Sequence, residues 1–76
     1  MIAEVGMEAV LKTTMKVQRA IRDLTQAELG EIAGITRKSI NAIEKGHMVP
    51  SVILALKLAR ALDVGVETLF SLETLP

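Results

Sequence analysis

The run TQAELGEIAGITRKSINAIEKG, residues 25–46, constrains the fold more than any other part of the chain. It reads as two short helices joined by a tight turn. Thr25 fits the N-cap of the first, with Glu28 three residues on, because a threonine oxygen there accepts a backbone N–H while the glutamate reaches back. Leu29 and Ala33 fall on one inner face, and Gly34 supplies the left-handed residue at which the chain turns. Thr36 fits the cap of the second helix, in which Ile40 and Ile43 keep helical spacing while Arg37, Lys38, Asn41 and Lys45 are left outside. That outer face suits a polar, anionic partner.

The flanking chain extends the helical pattern. Residues 15–22 predict a helix with Met15, Val17, Ala20 and Ile21 on its buried side, followed by helices over 26–33 and 37–45, the last stopped by Gly46. Pro50 closes a loop and Ser51 caps a fourth helix running to about Leu62, whose core stripe is Leu54, Leu58 and Leu62. Asp63 or Gly65 ends it, and residues 66–72 predict a last short helix burying Val66, Leu69 and Phe70. No strand pattern competes. The expected fold is all-α, a compact bundle of about five short helices. Ile2, Val5 and Ala9 have helical spacing, weakened by Gly6, so residues 1–14 read as an N-terminal extension, either a helix or a dimer arm. Residues 15–72 form the domain and residues 73–76 a tail.

Composition narrows the chemistry. At 76 residues the chain is one small domain, burying about 60–65% of its unfolded surface. With no cysteine, disulfides, thiolate zinc and cysteine catalysis are excluded; with Phe70 the only aromatic residue, the core must be aliphatic. No apolar run approaches the roughly 18 residues of a membrane span, and residues 1–14 lack the pattern of a signal peptide, so a soluble cytoplasmic protein with no membrane partner is expected. Nine basic and nine acidic residues cancel overall, yet they are segregated. Residues 12–22 carry Lys12, Lys16, Arg19 and Arg22 and no acid, whereas the chain from residue 63 carries Asp63, Glu67 and Glu73 and no base. A local positive field, rather than the total, governs phosphate contact. Ordinary solvated helix faces give the same pattern. No tyrosine, a single histidine, no paired-carboxylate motif and no glycine-rich phosphate loop argue against an enzyme and against a cofactor.

TQAELGEIAGITRKSINAIEKG, followed by PSVILALKLARALDVGVETLF, strongly resembles the phage-repressor or Cro-like helix-turn-helix family, also called the Xre type, over about residues 15–72. Gln26 opening helix 2, the small Gly30, Gly34 in the turn and IEKG closing helix 3 carry the resemblance together. It implies sequence-specific binding of double-stranded DNA, with helix 3 in the major groove, by a transcriptional regulator, a repressor, acting as a homodimer on a palindromic operator. Arg37, Lys38, Asn41 and Ala42 match the family's base-reading positions. Gln26 matches its phosphate contact, and Thr36, Ser39, Lys45 and His47 are placed to meet the backbone likewise. Arg19 and Glu44 resemble a structural ion pair between helix 1 and the end of helix 3.

The same residues have plainer readings. Arg37, Lys38 and Asn41 also fit the solvated side of an amphipathic helix. A metal site around His47 would need carboxylates alone, so none is expected. The chain departs from the family where Gln18 replaces the usual leucine of helix 1, and where Ile53, beside Val52, replaces a polar residue. Exposed apolar residues there suggest a surface covered by a partner, and make an antitoxin or adaptor module, whose main role is binding another protein, the alternative. Helix 5 and the N-terminal segment are the candidate dimer surfaces.

Overall fold

The computed structural model describes residues 9–74. Among them the elements follow the order β1 (Ala9–Thr13), α1 (Met15–Ile21), α2 (Gln26–Ala33), α3 (Arg37–Glu44), α4 (Val52–Ala61), α5 (Val66–Leu69) and β2 (Phe70–Thr74). Three helices begin as their cap residues dictate. The Glu28 N–H donates to Thr25 Oγ1 at 3.0 Å while the Thr25 N–H donates to Glu28 Oε1 at 2.8 Å, a reciprocal box that satisfies two otherwise unpaired groups. Thr36 accepts from the Ser39 N–H and Ser51 from the Leu54 N–H, each at 3.1 Å.

Between α2 and α3 the chain reverses at Gly34, with φ 78°, and the Ile35 N–H donates back to the Gly30 carbonyl at 2.8 Å. This fold of the turn onto α2 explains Gly30. A Cβ there would lie 2.6 Å from the Ile35 carbonyl oxygen, so the turn can approach α2 only over a residue without a side chain. Gly46 (φ 78°) stops α3, and Asp63 (φ 55°), not Gly65, makes the left-handed turn after α4.

The core is aliphatic. Met15, Leu29, Ala33, Ile40, Ile43, Leu58, Ala59, Leu62 and Leu69 are buried, drawn from all five helices, with Leu54, Val66 and Phe70 half-buried around them. Helix α1 departs from expectation. Val17, Ala20 and Ile21 are exposed, and the inner side is Met15 with the half-buried Gln18, Arg19 and Arg22. These recur at i, i+3, i+4 and i+7, so α1 is turned to point Arg19 inward rather than its apolar residues.

Two strands also stand where none was expected. Residues 9–13 are not helical, and the predicted helix over 66–72 ends at Leu69. β1 and β2 pair antiparallel in a register that sets Val10 opposite Glu73, Leu11 opposite Leu72 and Thr13 opposite Phe70. The pairing rests on Thr13 and Thr14. Thr13 Oγ1 and the Thr14 N–H both donate to the Leu69 carbonyl, at 2.9 and 3.0 Å, and Thr14 Oγ1 donates to the Thr68 carbonyl at 2.8 Å. With α5 stitched to the start of α1, the two chain segments leave side by side and satisfy each other's backbone groups. β2 runs across the expected 72/73 boundary, whereas β1 ends at Thr13, just short of the expected boundary at 14/15. Residues 1–8, on which part of the expected helix or dimer arm falls, lie outside the described residues.

Candidate nucleic-acid interface

Helix α3 sorts its side chains sharply. Ile40 and Ile43 point into the core, so at about 100° per residue Lys38 and Lys45 stand on the opposite side, with Asn41 and Ala42 flanking them. Arg37, Lys38 and Lys45 are exposed; Asn41 and Ala42 are half-buried. Arg37 turns toward the start of α2. Gln26, Arg37, Lys38 and Asn41 line one shallow depression between the two helices.

Beneath this ridge lies a hydrogen-bonded ion pair. Arg19 Nε donates to Glu44 Oε2 at 2.8 Å and its Nη2 to Oε1 at 3.2 Å, while Nη1 donates to the Leu24 carbonyl at 2.9 Å. Both side chains are largely enclosed, 15% and 6% exposed respectively. Burial pushes the Glu44 carboxyl up, but hydrogen bonds from Arg19 and Gln26 and the charges of Arg19 and Lys16 outweigh it, leaving the group below its ordinary value of 4.5. Glu44 is therefore ionised, and its charge is taken up by Arg19. Arg37, Lys38 and Lys45 keep an uncompensated positive field outside.

Gln26 joins the two layers. Its Nε2 donates to Glu44 Oε1 at 3.0 Å and its Oε1 accepts from Asn41 Nδ2 at 3.4 Å. The sequence carries no local signal of this network, because Gln26 and Glu44 are 18 residues apart, across the whole turn. The other expected contact residues lie elsewhere. Thr36 and Ser39 sit at the start of α3, where Thr36 Oγ1 donates to Ser39 Oγ at 3.1 Å, and Ser39 is half-buried on the side of α3 away from Arg37. Lys45 caps the far end, about 10 Å along the axis from Lys38. His47 follows it, exposed, its N–H donating to the Ala42 carbonyl at 2.8 Å. Among the described residues no group of three or more His, Cys, Asp or Glu is placed to hold a metal ion, and no helix is long and apolar enough to cross a membrane.

A capped helix, a glycine-mediated turn and a second helix presenting a basic ridge define a helix-turn-helix domain of the class that binds DNA. The chain belongs to the phage-repressor or Cro-like (Xre-type) helix-turn-helix family of transcriptional regulators, and the family model, a helix-turn-helix, matches residues 15–69. It is 44% identical over 63 residues to the uncharacterized HTH-type transcriptional regulator YgzD of Bacillus subtilis (strain 168), spanning 83% of this chain and 96% of that one. Identity to the uncharacterized HTH-type transcriptional regulator MJ0272 of Methanocaldococcus jannaschii is 41% over 63 residues, with the same coverage of 83% and 96%. Among solved structures, the restriction-modification controller protein C.AhdI from Aeromonas hydrophila superposes with a TM-score of 0.69 at 30% identity, over 71% of this chain and 82% of that one. A hypothetical transcription factor, NHTF, from Neisseria gives 0.68 at 26% identity, over 71% and 62%.

Proposed function

We propose that the protein is a sequence-specific binder of double-stranded DNA that lays α3 in the major groove and acts as a transcriptional repressor. The observation that carries this reading is the α3 ridge: exposed cations and a carboxamide on one side of a helix whose other side is locked into the core. A helix of this width fits a B-DNA major groove, where arginine or lysine pairs with guanine O6 and N7, asparagine with adenine, and an alanine methyl with a thymine methyl. Arg37, Lys38, Asn41 and Ala42 read base edges in this arrangement. Gln26, Thr36, Ser39, Lys45 and His47 meet phosphates and set the register, and the Arg19–Glu44 pair holds α3 at its angle. The DNA-binding unit is residues 15–72, with β1 bracing its start. Repression needs no surface beyond the one that occupies the operator. No catalytic step or cofactor enters, and the protein works where the DNA is, in the cytoplasm.

One eight-residue helix spans about 12 Å and reaches only a few base pairs, so a longer site calls for two copies. A homodimer on a palindrome supplies them, with α5 and the N-terminal segment as contact surfaces. Alanine at Arg37 or Lys38 tests the reading: each variant keeps its helical signal and loses about 1–3 kcal/mol of duplex affinity. Unchanged binding by both contradicts it.

A second reading, an adaptor or antitoxin module, is favoured by one observation. Val52, Ile53 and Leu56 lie on the first turns of α4 and Val49 in the loop that enters it, and all four are 53–76% exposed. Ile53→Asp abolishes partner binding and spares DNA binding if that patch docks a protein. Loss of both functions in either set of variants, with the fold intact, breaks this division of labour.

A further inference from the structure

Gln26 touches both the enclosed ion pair and the outer ridge, and the chemistry of its neighbours leaves it only one orientation. Glu44, ionised against Arg19, has no proton to give and can only accept hydrogen bonds. The end of the Gln26 amide that faces it must therefore be Nε2, at 3.0 Å from Glu44 Oε1. Its Oε1 is then directed to the ridge, where it can only accept, and Asn41 Nδ2 supplies the hydrogen at 3.4 Å. Polarity passes outward from a carboxylate through two amides. Asn41 has two Nδ2 hydrogens and one oxygen; with one hydrogen given to Gln26, a single donor and a single acceptor remain side by side. Adenine presents the complement in the major groove, N7 to accept and N6 to donate, whereas guanine presents two acceptors, N7 and O6.

We infer that Gln26 is a specificity-positioning residue, which transmits the hydrogen-bond polarity of the Arg19–Glu44 pair to Asn41 and so sets Asn41 to select adenine. The inference rests on Asn41 reading a base edge, as proposed above. It has a consequence that a phosphate-contact role for Gln26 alone does not. In a Glu44→Gln variant the new amide keeps its oxygen on Arg19 and offers its NH2 to Gln26. Gln26 then turns over, the Asn41 amide turns with it to accept on Oδ1, and both Asn41 donors are left free. That arrangement suits guanine's two acceptors.

The test is a selection of bound sequences from random duplex DNA, run with wild type, Asn41→Ala, Gln26→Met, Glu44→Gln and the Gln26→Met/Asn41→Ala double variant, each checked for a cooperative melt. Wild type is expected to prefer adenine at one position of each half-site by about tenfold or more. Asn41→Ala and Gln26→Met both erase that preference, the double variant adds nothing further there, and Glu44→Gln moves it toward guanine. Gln26→Met that weakens binding equally across all sequences, with the adenine preference intact, overturns the inference and leaves Gln26 a phosphate contact. Wild type that enriches no sequence overturns the DNA reading itself, and the specificity role with it. Should Glu44→Gln not fold, side-chain amide NMR of the free protein decides. Asn41 NH2 hydrogens that exchange more slowly in wild type than in Gln26→Met support the relay; equal exchange sinks it.

Discussion

In the α2–α3 corner the bonds that shape the backbone join residues three to five apart: Thr25 with Glu28, Gly30 with Ile35, Thr36 with Ser39. In the β1–β2 ribbon they join the two ends of the described chain, Thr13 to Leu69 across 56 residues and Ala9 to Thr74 beyond that. The first kind of structure forms wherever the local sequence allows, and costs little chain entropy. The second exists only after the bundle has closed, because ordering so long a loop must already have been compensated by core burial. A lone two-stranded sheet is also marginal in water. The corner, then, is locally determined and carries the candidate interface, and the ribbon is a brace that depends on the closed bundle.

The largest expected effect comes from the most distant link to the corner, the Arg19–Glu44 pair, whose members are 25 residues apart. Glu44→Ala leaves the enclosed Arg19 guanidinium without its carboxylate and should lower unfolding free energy by about 3–5 kcal/mol in a denaturant titration. A loss under about 1 kcal/mol would mean that local bonds alone hold α3 at its angle. The same pair predicts a pH dependence. Because the folded state holds Glu44 below its ordinary value of 4.5, its contribution is complete above that value and is lost as pH falls through the lower folded-state value. The melting-temperature gap between wild type and Glu44→Gln should accordingly narrow in acid and stay constant from neutral pH down to about 5.

Gly30→Ala sharpens the comparison within the corner. Alanine gains about 1 kcal/mol of helix propensity over glycine, but a methyl 2.6 Å from a backbone oxygen forces the turn away from α2. The net outcome expected is destabilisation by about 1–2 kcal/mol, read by thermal melting; a stabilised variant would show that the turn gives way freely. Thr36→Ala removes the cap bond together with the exposed bond to Ser39 Oγ and should cost about 1 kcal/mol. In the ribbon, Lys12 and Glu73 pair at 3.4 Å with both side chains about 60% exposed, so Glu73→Ala should change stability by less than about 0.5 kcal/mol. Backbone amides of β1 and β2 should exchange faster than those of Ile40 and Ile43. Equal protection would place the ribbon inside the cooperative core and erase the distinction.

The same contrast explains what was legible in the sequence. Caps at Thr25, Thr36 and Ser51, the left-handed turns at Gly34 and Gly46, and the inner positions Leu29, Ala33, Ile40 and Ile43 follow from spacings within a turn or two, and all stand as expected. Apolar spacing on α1 misled, because Val17 and Ile21 lost the inward side to Arg19, whose partner Glu44 sits 25 residues away. β1 and β2 were hidden for a related reason. AVLKT lacks strict alternation, FSLET alternates only over its first four residues, and each becomes a strand only beside the other. At the interface, the exposure of Arg37 and Lys38 was readable from helical period alone, whereas the bonds joining Gln26 to Glu44 and Asn41 required the packed corner.

The most direct test of the account is selection from random duplex DNA with wild type and Arg37→Ala, at two salt concentrations. Wild type should enrich a two-fold palindrome, Arg37→Ala should relax it at one base pair of each half-site, and affinity should fall with salt. Binding that is weak, unselective and removed by moderate salt, with Arg37→Ala indistinguishable from wild type, would contradict the account and turn attention to the α4 patch.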